Sequence, residues 1–307
     1  MDALKPDISV IIVSYNVQKY LCSCIDSVLA QRDISIEIIV IDNNSTDGTR
    51  EVISAKYPAV KLISNADNIG FSAANNRGIE VASAEMIMLL NPDTELMDTS
   101  TLAHAKNYME TNLQTAILAP QLLNTDGSFQ LSFWSFHSVK EWALELFYLH
   151  LIKKTKEPSA PFPVQAASGA ALIFRKSLTD EIGGLDETMF WSEDVDFCYR
   201  VHKAGKEIIW NPDIKIIHHG GKSSIGNESI IIPNQVMSKV KFSQKYDSKP
   251  IFYLINSLSL LFICSRLFAF CLLSLINKKY SAKRKAYGIA LKGYLRFNFQ
   301  GNSVIIK

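Results

Sequence analysis

An α/β fold with a mostly parallel sheet and an antiparallel supplement, followed by an apolar helical segment, is what this sequence predicts. Three observations carry that prediction: strand-like and helix-like runs alternate through residues 8–90, the pattern then becomes less regular, and the densest apolar block is Ile251 to Ile276. Alternation of this kind puts helices on both faces of a parallel sheet through right-handed crossovers. The 307 residues suffice for one α/β domain with an appendage, expected as a domain over residues 1–235 and a helical region over 236–307.

Ile8 to Val13 is an apolar, β-branched run and reads as the first strand, and Tyr20 to Ala30 then carries Leu21, Ile25, Val28 and Leu29 at helical spacing. Ile36 to Ile41, Val60 to Ile63 and Met86 to Leu90 read as further strands, separated by helices over Thr49 to Lys56 and Ser72 to Val81. In the second half, strands are expected at Ala116 to Leu123, Ala170 to Arg175 and Glu207 to Trp210, with a loop at Pro158 to Pro163. An apolar helix over Lys140 to Leu151 carries Trp142, Phe147 and Tyr148 and is expected to pack on a core rather than wall an acceptor pocket. Ser192 can cap a helix reaching about Lys203, with Gly205 ending it.

Hydrophobic residues at 48% and charged residues at 20% exclude a disordered chain. A net charge of +2 gives no support to a nucleic-acid partner. The five cysteines, Cys22, Cys24, Cys198, Cys264 and Cys271, lack metal-ligand spacing and suit reduced thiols in the cytoplasm. Met1 to Asp7 is short and polar, so no signal peptide is expected.

Ligands of an open parallel sheet gather at the carboxyl ends of its strands. Here those ends are Val13-Ser14-Tyr15-Asn16, Asp42 to Gly48, Asn65 to Asn68, and Asn91-Pro92-Asp93. Asn, Asp and Gly are ordinary turn and cap residues, which explains any one loop; four such loops on one side of a sheet read better as a polar site. Neither G-x-G-x-x-G nor G-x-x-x-x-G-K-[ST] occurs, which excludes a dinucleotide fingerprint and a P-loop. Asp42 can accept from the imide N–H of uracil or thymine, amides beside Gly48 can meet phosphate oxygens, and Asp93 is placed for a divalent cation.

These loops, with Asn68-Ile-Gly70-Phe71-Ser-Ala-Ala74-Asn75 and Leu90-Asn91-Pro92-Asp93, resemble family 2 glycosyltransferases, nearest the bacterial rhamnosyltransferase-like members. The resemblance covers roughly the first 225 residues. It implies a GT-A fold and a UDP- or dTDP-sugar donor bound by Ser14, Tyr15, Asn16, Asp42, Ser45, Asp47, Asn68, Gly70, Asn75, Asn91 and Asp93. The family's metal motif is usually Asp-x-Asp; with Asn91 at its first position, Asp93 remains as the acidic ligand for Mn2+ or Mg2+.

A second constellation runs from Gly183 to Arg200 and includes Trp191-Ser192-Glu193-Asp194-Val195-Asp196. Its acids can simply complement the positive end of a helix dipole. The stretch also resembles the family's Glu-Asp motif, which implies Asp194 as general base, with Glu193 orienting the base or the acceptor. Gly184, Trp191 and Arg200 are expected at the sugar or acceptor, Arg200 binding phosphate or pairing with the carboxylates. The third constellation is Ile216-Ile217-His218-His219-Gly220-Gly221-Lys222-Ser223, where similar enzymes place a late metal-ligand histidine. Adjacent side chains on a strand face opposite ways, so only one of the pair reaches a common metal; His218 is the preferred ligand and His219 the alternative. Lys222 and Ser223 are placed to close on the diphosphate.

The resemblance thus implies a single displacement with inversion at the anomeric carbon, a metal that stabilises the departing diphosphate, and a preference for Mn2+ over Mg2+ from the His ligand. It favours a deoxysugar such as rhamnose as the donor sugar and a lipid-linked saccharide of a surface polysaccharide as acceptor. A nucleotidyltransferase is disfavoured because the Gly-rich basic N-terminal loop is absent. The Asn91 departure keeps a nucleotide-sugar-binding or assembly protein without transfer activity as the alternative.

The block Ile251 to Ile276 has 26 residues and one charge, Arg266. As a helix it runs about 39 Å, against a hydrocarbon core of about 30 Å. Lys239, Lys241, Lys245 and Lys249 precede it and Lys278, Lys279, Lys283, Arg284 and Lys285 follow, so a single span would export one basic cluster. It would also hold Arg266 near mid-membrane at about 2.5–3.5 kcal/mol. The expectation is a peripheral or monotopic segment on the cytoplasmic face of the membrane: a helix lying in the interface, or a shallow hairpin bent near Arg266. A helix packed on the soluble domain or a dimer partner competes with it.

Overall fold

The structure is a computed structural model whose described residues are 5–147, 157–220 and 228–300. They form two units: a sheet unit of residues 5–135, 157–187 and 193–220, and a helical unit of residues 136–147, 188–192 and 228–300.

The sheet unit starts as expected, with β1 (Ile8–Ser14), α1 (Gln18–Leu29), β2 (Ile36–Asp42), α2 (Thr49–Lys56), β3 (Lys61–Ser64), α3 (Phe71–Val81) and β4 (Met86–Leu90). β1 pairs in parallel with β2 and β4, and β2 with β3. β1 and β4 are buried along their whole length, as the continuous apolar runs of a sheet covered on both faces must be. α1 turns Leu21, Cys24, Ile25 and Val28 onto that sheet.

Two elements follow that the periodicity does not announce, β5 (Thr94–Leu96) and α4 (Thr101–Thr111). Next come β6 (Thr115–Leu123), β7 (Phe129–Gln130), β8 (Phe133–Trp134) and, in the helical unit, α5 (Val139–Leu146). The sheet unit resumes with β9 (Phe162–Pro163), β10 (Ala166–Ala167), β11 (Ala171–Arg175), α6 (Ser177–Ile182), α7 (Glu193–Lys203) and β12 (Glu207–His218). The main path of the sheet runs β3-β2-β1-β4-β11-β6-β12-β5. β11 is antiparallel to β4 and β6, and β5 is antiparallel to β12, which is the antiparallel supplement.

β12 corrects the expectation that its strand stops at Trp210. The ladder with β6 is interrupted between Asn211 and Lys215 and then resumes to Ile217; Pro212-Asp213-Ile214 bulge out of it, with Asn211 Oδ1 accepting the Asp213 N–H (2.9 Å), so a local turn sits within the strand and does not end it. That extension carries His218 to the end of the sheet where the polar loops lie. The helix expected over Lys140 to Leu151 is seen as α5, opened by Ser138 Oγ accepting the Glu141 N–H; Tyr148 and the rest of it lie outside the described residues. Trp142 packs in a core, as expected.

The helical unit adds α8 (Glu228–Tyr246), α9 (Lys249–Ile276) and α10 (Ser281–Gln300) around Trp142, Val236, Met237, Ile255, Ile263, Ala290 and Tyr294. α9 is one continuous helix through Arg266, which corrects the hairpin alternative. It is the one helix among the described residues long and apolar enough to cross a membrane, by length and composition alone. Arg266 is 7% exposed and not an uncompensated charge. Its guanidinium donates to Glu145 O (3.0 Å) and Leu146 O (3.3 Å), the last carbonyls of α5, and lies over the Phe262 ring at 4.8 Å. α9 buries Ile255, Ser259, Ile263 and Arg266 and exposes Leu254, Leu261, Phe268 and Leu275, a stripe that repeats every seven residues.

Candidate active site

The loops after β1 and β2 are cross-linked. The Asn16 N–H donates to Ser45 Oγ (3.0 Å) and Asn16 Oδ1 accepts the Thr46 N–H (2.7 Å). The Gln18 N–H donates to Asp47 Oδ2 (2.9 Å) and its side-chain amide to Gly48 O (3.1 Å). Asp47 Oδ1 accepts from the Thr49 hydroxyl (2.6 Å), which opens α2. Burial pushes the Asp47 carboxyl up, but the hydrogen bonds from Thr49 and Gln18 outweigh it and hold the group below the ordinary aspartate range.

Asp42 is fully buried and takes the Arg50 Nε at 2.5 Å and the Ser45 N–H at 3.2 Å. Arg50 continues to Asn44 Oδ1 and Asn65 O, both at 3.1 Å. Asn65 donates to Asn43 Oδ1 (2.7 Å), Asn43 donates to Gly70 O (3.2 Å), and Arg77 donates to Asn65 Oδ1. Asn68 Oδ1 accepts the Gly70 N–H (3.0 Å), and Gly70, at φ 90°, starts α3 in a backbone conformation that favours glycine. Asn75 is buried and donates to Phe71 O (2.9 Å) inside its own helix, a structural use. Ser14 is buried at the end of β1 and Tyr15 is exposed beside it. The structure thus brings three of the four loops into one hydrogen-bonded rim.

The fourth loop meets β12. Pairing of β5 with β12 sets His218 opposite Thr94, and His218 Nε2 then lies 3.5 Å from Asp93 Oδ1. His218 Nδ1 is 2.7 Å from Gln130 Oε1, while the Gln130 amide donates to Asn124 Oδ1 (2.9 Å) and His218 O (3.2 Å). Because the Gln130 nitrogen is committed to acceptors, its oxygen faces the ring, which assigns the proton to Nδ1 and leaves a lone pair on Nε2. Nε2 is buried and has no hydrogen-bond partner among the described residues. An orphaned imidazole nitrogen beside a buried carboxylate, with the ring's other nitrogen held by an amide oxygen, fits a divalent cation. His219 is used otherwise: Nε2 meets Glu95 Oε1 at 2.8 Å, Nδ1 faces Thr125 Oγ1 at 3.3 Å, and its N–H holds Asp93 O at 2.9 Å. Asn91 is half-buried, with its N–H on Ala170 O and its carbonyl accepting from the Thr94 hydroxyl. Among the described residues no group of three acidic, His or Cys side chains forms a complete metal cage.

Glu193 and Asp194 begin α7. Asp194 Oδ2 accepts the Gly169 N–H (2.9 Å) and Oδ1 accepts the Val195 N–H (2.8 Å). The residue keeps part of its surface accessible, yet its carboxyl is closely surrounded and burial pushes its pKa above the ordinary value. Asp196 is fully buried and pairs with Arg200 at 2.9 Å. Arg200 also donates to Ile182 O (2.6 Å), Gly183 O (3.0 Å) and Gly184 O (2.7 Å). Of its two expected uses, pairing with a carboxylate is the one seen, and its remaining bonds clamp the loop after α6. In that loop a Cβ on Gly184 would stand 2.4 Å from Asn76 Oδ1, which accepts the Leu185 N–H. Trp191 and Ser192, just before Glu193 in the chain, have φ of 73° and 71° and belong to the helical unit. Such left-handed conformations cost about 1–3 kcal/mol each for residues other than glycine. Lys222 and Ser223 lie outside the described residues.

The sequence profile described as Glycosyl transferase family 2 matches residues 9–183, more than half of the chain, and spans the rim and the Asp93 loop. The chain belongs to glycosyltransferase family 2. The glycosyltransferase is 28% identical over 239 residues to the N-acetylglucosaminyl-diphospho-decaprenol L-rhamnosyltransferase of Mycobacterium tuberculosis, covering 70% of this chain and 76% of that one. Its fold matches the mannosyltransferase PcManGT of Pyrobaculum calidifontis, solved with GDP-Man and Mn2+, at TM-score 0.59 and 15% identity, over 98% of this chain and 89% of that one. It also matches GalNAc-T7, solved with UDP, GalNAc and Mn2+, at TM-score 0.60 and 18% identity, over 85% and 52%. The fold is therefore GT-A, with the apolar helix α9 following it.

Four residues of this glycosyltransferase that carry the site's geometry, Gln18, Arg50, Arg77 and Gln130, have no short motif to reveal them. Arg50 alone left a trace, since a residue in the first turn of α2 points back at the end of β2.

Proposed function

We propose that this glycosyltransferase inverts the anomeric centre of a dTDP- or UDP-sugar, with rhamnose the favoured sugar, and transfers it to a lipid-linked saccharide during surface polysaccharide assembly. The observation that carries the mechanism is the placement of Asp194 at the start of α7, a residue partly accessible whose closely surrounded carboxyl is held by the amides of Gly169 and Val195. Asp194 takes the proton of an acceptor hydroxyl as its oxygen attacks the anomeric carbon; the bond from that carbon to the diphosphate oxygen breaks, and the nucleoside diphosphate leaves with the electron pair. Burial opposes charge on Asp194 and the two amides favour it, a balance suited to a base that must both take and release a proton. The rim of Asn16, Ser45 and Asp47, braced from beneath by the buried Asp42, meets the donor's nucleoside, and its rigidity orients the sugar.

A divalent cation, Mn2+ or Mg2+, would be held by Asp93 and His218 together with donor oxygens, and when bound it neutralises charge on the diphosphate. The orphaned His218 Nε2 favours Mn2+. The Mn2+-containing structural neighbours and the rhamnosyltransferase relative support this reading of cofactor and acceptor class. The exposed stripe of α9, followed by Lys278, Lys279, Lys283, Arg284 and Lys285, supports a peripheral or monotopic place on the cytoplasmic face of the membrane, with Arg266 turned into the protein.

The test incubates the chain with dTDP- and UDP-sugars, Mn2+ and a short-chain lipid-diphosphate N-acetylglucosamine, and reads nucleotide release and the product's anomeric configuration. Asp194→Asn is expected to cut turnover by about 10²–10⁴-fold with nucleotide binding retained. A product of retained configuration, or an Asp194→Asn variant with full turnover, removes the assignment.

A further inference from the structure

Residues 188–192 join Glu187 to Glu193 in the chain, yet they belong to the helical unit. Three side chains of that unit bind this segment at alternate residues. Lys241 Nζ donates to Thr188 O (3.1 Å), Ser238 Oγ donates to Phe190 O (2.6 Å), and His137 Nε2 is 3.2 Å from Ser192 Oγ. Ser238 and Lys241 are three apart on α8 and so share one face of it. The His137 ring meets the Phe242 ring edge-on, with centroids 5.3 Å apart, and Phe242 in turn meets Tyr246 at 4.9 Å. Met189 and Ser192 are buried, while Trp191 between them is 38% exposed.

The turn that presents Trp191 is left-handed at two successive residues with side chains, which survives only where the surroundings over-determine it. Bonds at residues 188, 190 and 192 supply that constraint from outside the turn. Burial pushes the His137 imidazole down to about 3, and the Lys239 charge adds to this, so the ring meets the Ser192 hydroxyl uncharged. A loop needed only to connect Glu187 to Glu193 would have no use for a strained, partly exposed tryptophan gripped on both sides.

We propose that His137, Ser238 and Lys241 are positioning residues that hold the Trp191–Ser192 turn in the form that presents the Trp191 ring to the acceptor saccharide. This rests on the transfer reading above and extends it to three residues outside the donor site.

The experiment uses the full chain and the variants H137A, H137Q and S238A. Amide hydrogen exchange of peptides covering residues 188–195 is expected to accelerate about tenfold or more in H137A and S238A, with β1 to β4 unchanged. In the transfer assay the acceptor KM is expected to rise about tenfold while the donor Kd stays constant, and H137Q, which keeps a hydrogen-bonding group at similar reach, should recover most of the loss. Unchanged exchange in both H137A and S238A overturns the grip. A donor Kd that weakens in step with the acceptor KM overturns the positioning role in favour of general destabilisation. S238A removes a single hydroxyl and decides the matter if H137A does not fold. A wild-type chain that binds nucleotide sugar but transfers to no saccharide overturns the acceptor assignment, whereas one that binds none overturns the transfer reading itself; the exchange result stands apart from both.

Discussion

Gln130 has no acid-base chemistry of its own, yet its amide determines what His218 can do. By accepting from Nδ1–H it leaves the lone pair on Nε2, 3.5 Å from Asp93 Oδ1. Gln130→Leu is expected to weaken Mn2+ binding by about 10–100-fold, read from free Mn2+ in an EPR titration. Unchanged affinity would place the metal elsewhere. Asp194 carries a second prediction. Because burial raises its pKa, the base is charged only above a threshold higher than the ordinary carboxyl range, so kcat/KM should rise with unit slope as pH increases and then level off. A profile flat down to about pH 4 would remove Asp194 as the titrating base. Asp194 and His218 stand out in the sequence as candidates because each lies in a short run of telling residues. Gln130 was not, because its partner is 88 positions away and a lone glutamine announces nothing.

Among the elements, α3 crosses β1 so closely that a Cβ on Gly78 would stand 2.4 Å from Ile11 Cγ2. Gly78→Ala is expected to destabilise the protein by about 1–3 kcal/mol, measured by urea unfolding, since the added methyl meets the branch of the fully buried Ile11. The helical unit carries a pH signature of its own. His137 is uncharged when folded, its pKa falling from 6.5 to about 3, so the unfolded chain binds the extra proton between those values and stability falls as pH drops through that window. Between pH 6.5 and 5 the loss is on the order of 1–2 kcal/mol, and it should vanish in H137Q when thermal midpoints are compared across that range. Elements with clean periodicity, such as α2 and β4, were readable residue by residue, and β1 to within one residue. β12 beyond Trp210 was not, because Asn211-Pro212-Asp213 carries the chemistry of a turn while its neighbours continue the ladder. α8 was hidden by Pro233, which sits inside the helix.

At the scale of the whole molecule, α9 shows an apolar stripe that is exposed among the described residues, with exposed cations after it. Co-sedimentation with phosphatidylglycerol vesicles is the expected behaviour, weaker on phosphatidylcholine and weaker again at high salt, because the basic cluster is screened. Replacing Leu261 and Phe268 with Glu should abolish that binding while nucleotide binding persists. A doubly substituted chain that sediments like wild type would return α9 to the role of a soluble helix.

Periodicity and strand-end chemistry, both properties of neighbours in the chain, were enough to establish the parallel sheet, the side on which its polar loops gather, and the length of the apolar helix. Choices among equivalents needed the folded chain. His218 and His219 are adjacent and chemically identical, and only the paths of β5 and β12 give one to Asp93 and the other to Glu95. Arg266 reads as a costly charge in an apolar run until the end of α5 supplies its carbonyl partners. Local geometry follows from residue type and spacing, whereas a side chain's partner is set by the packing of segments far apart in sequence, and the chemistry of this site depends on those partners.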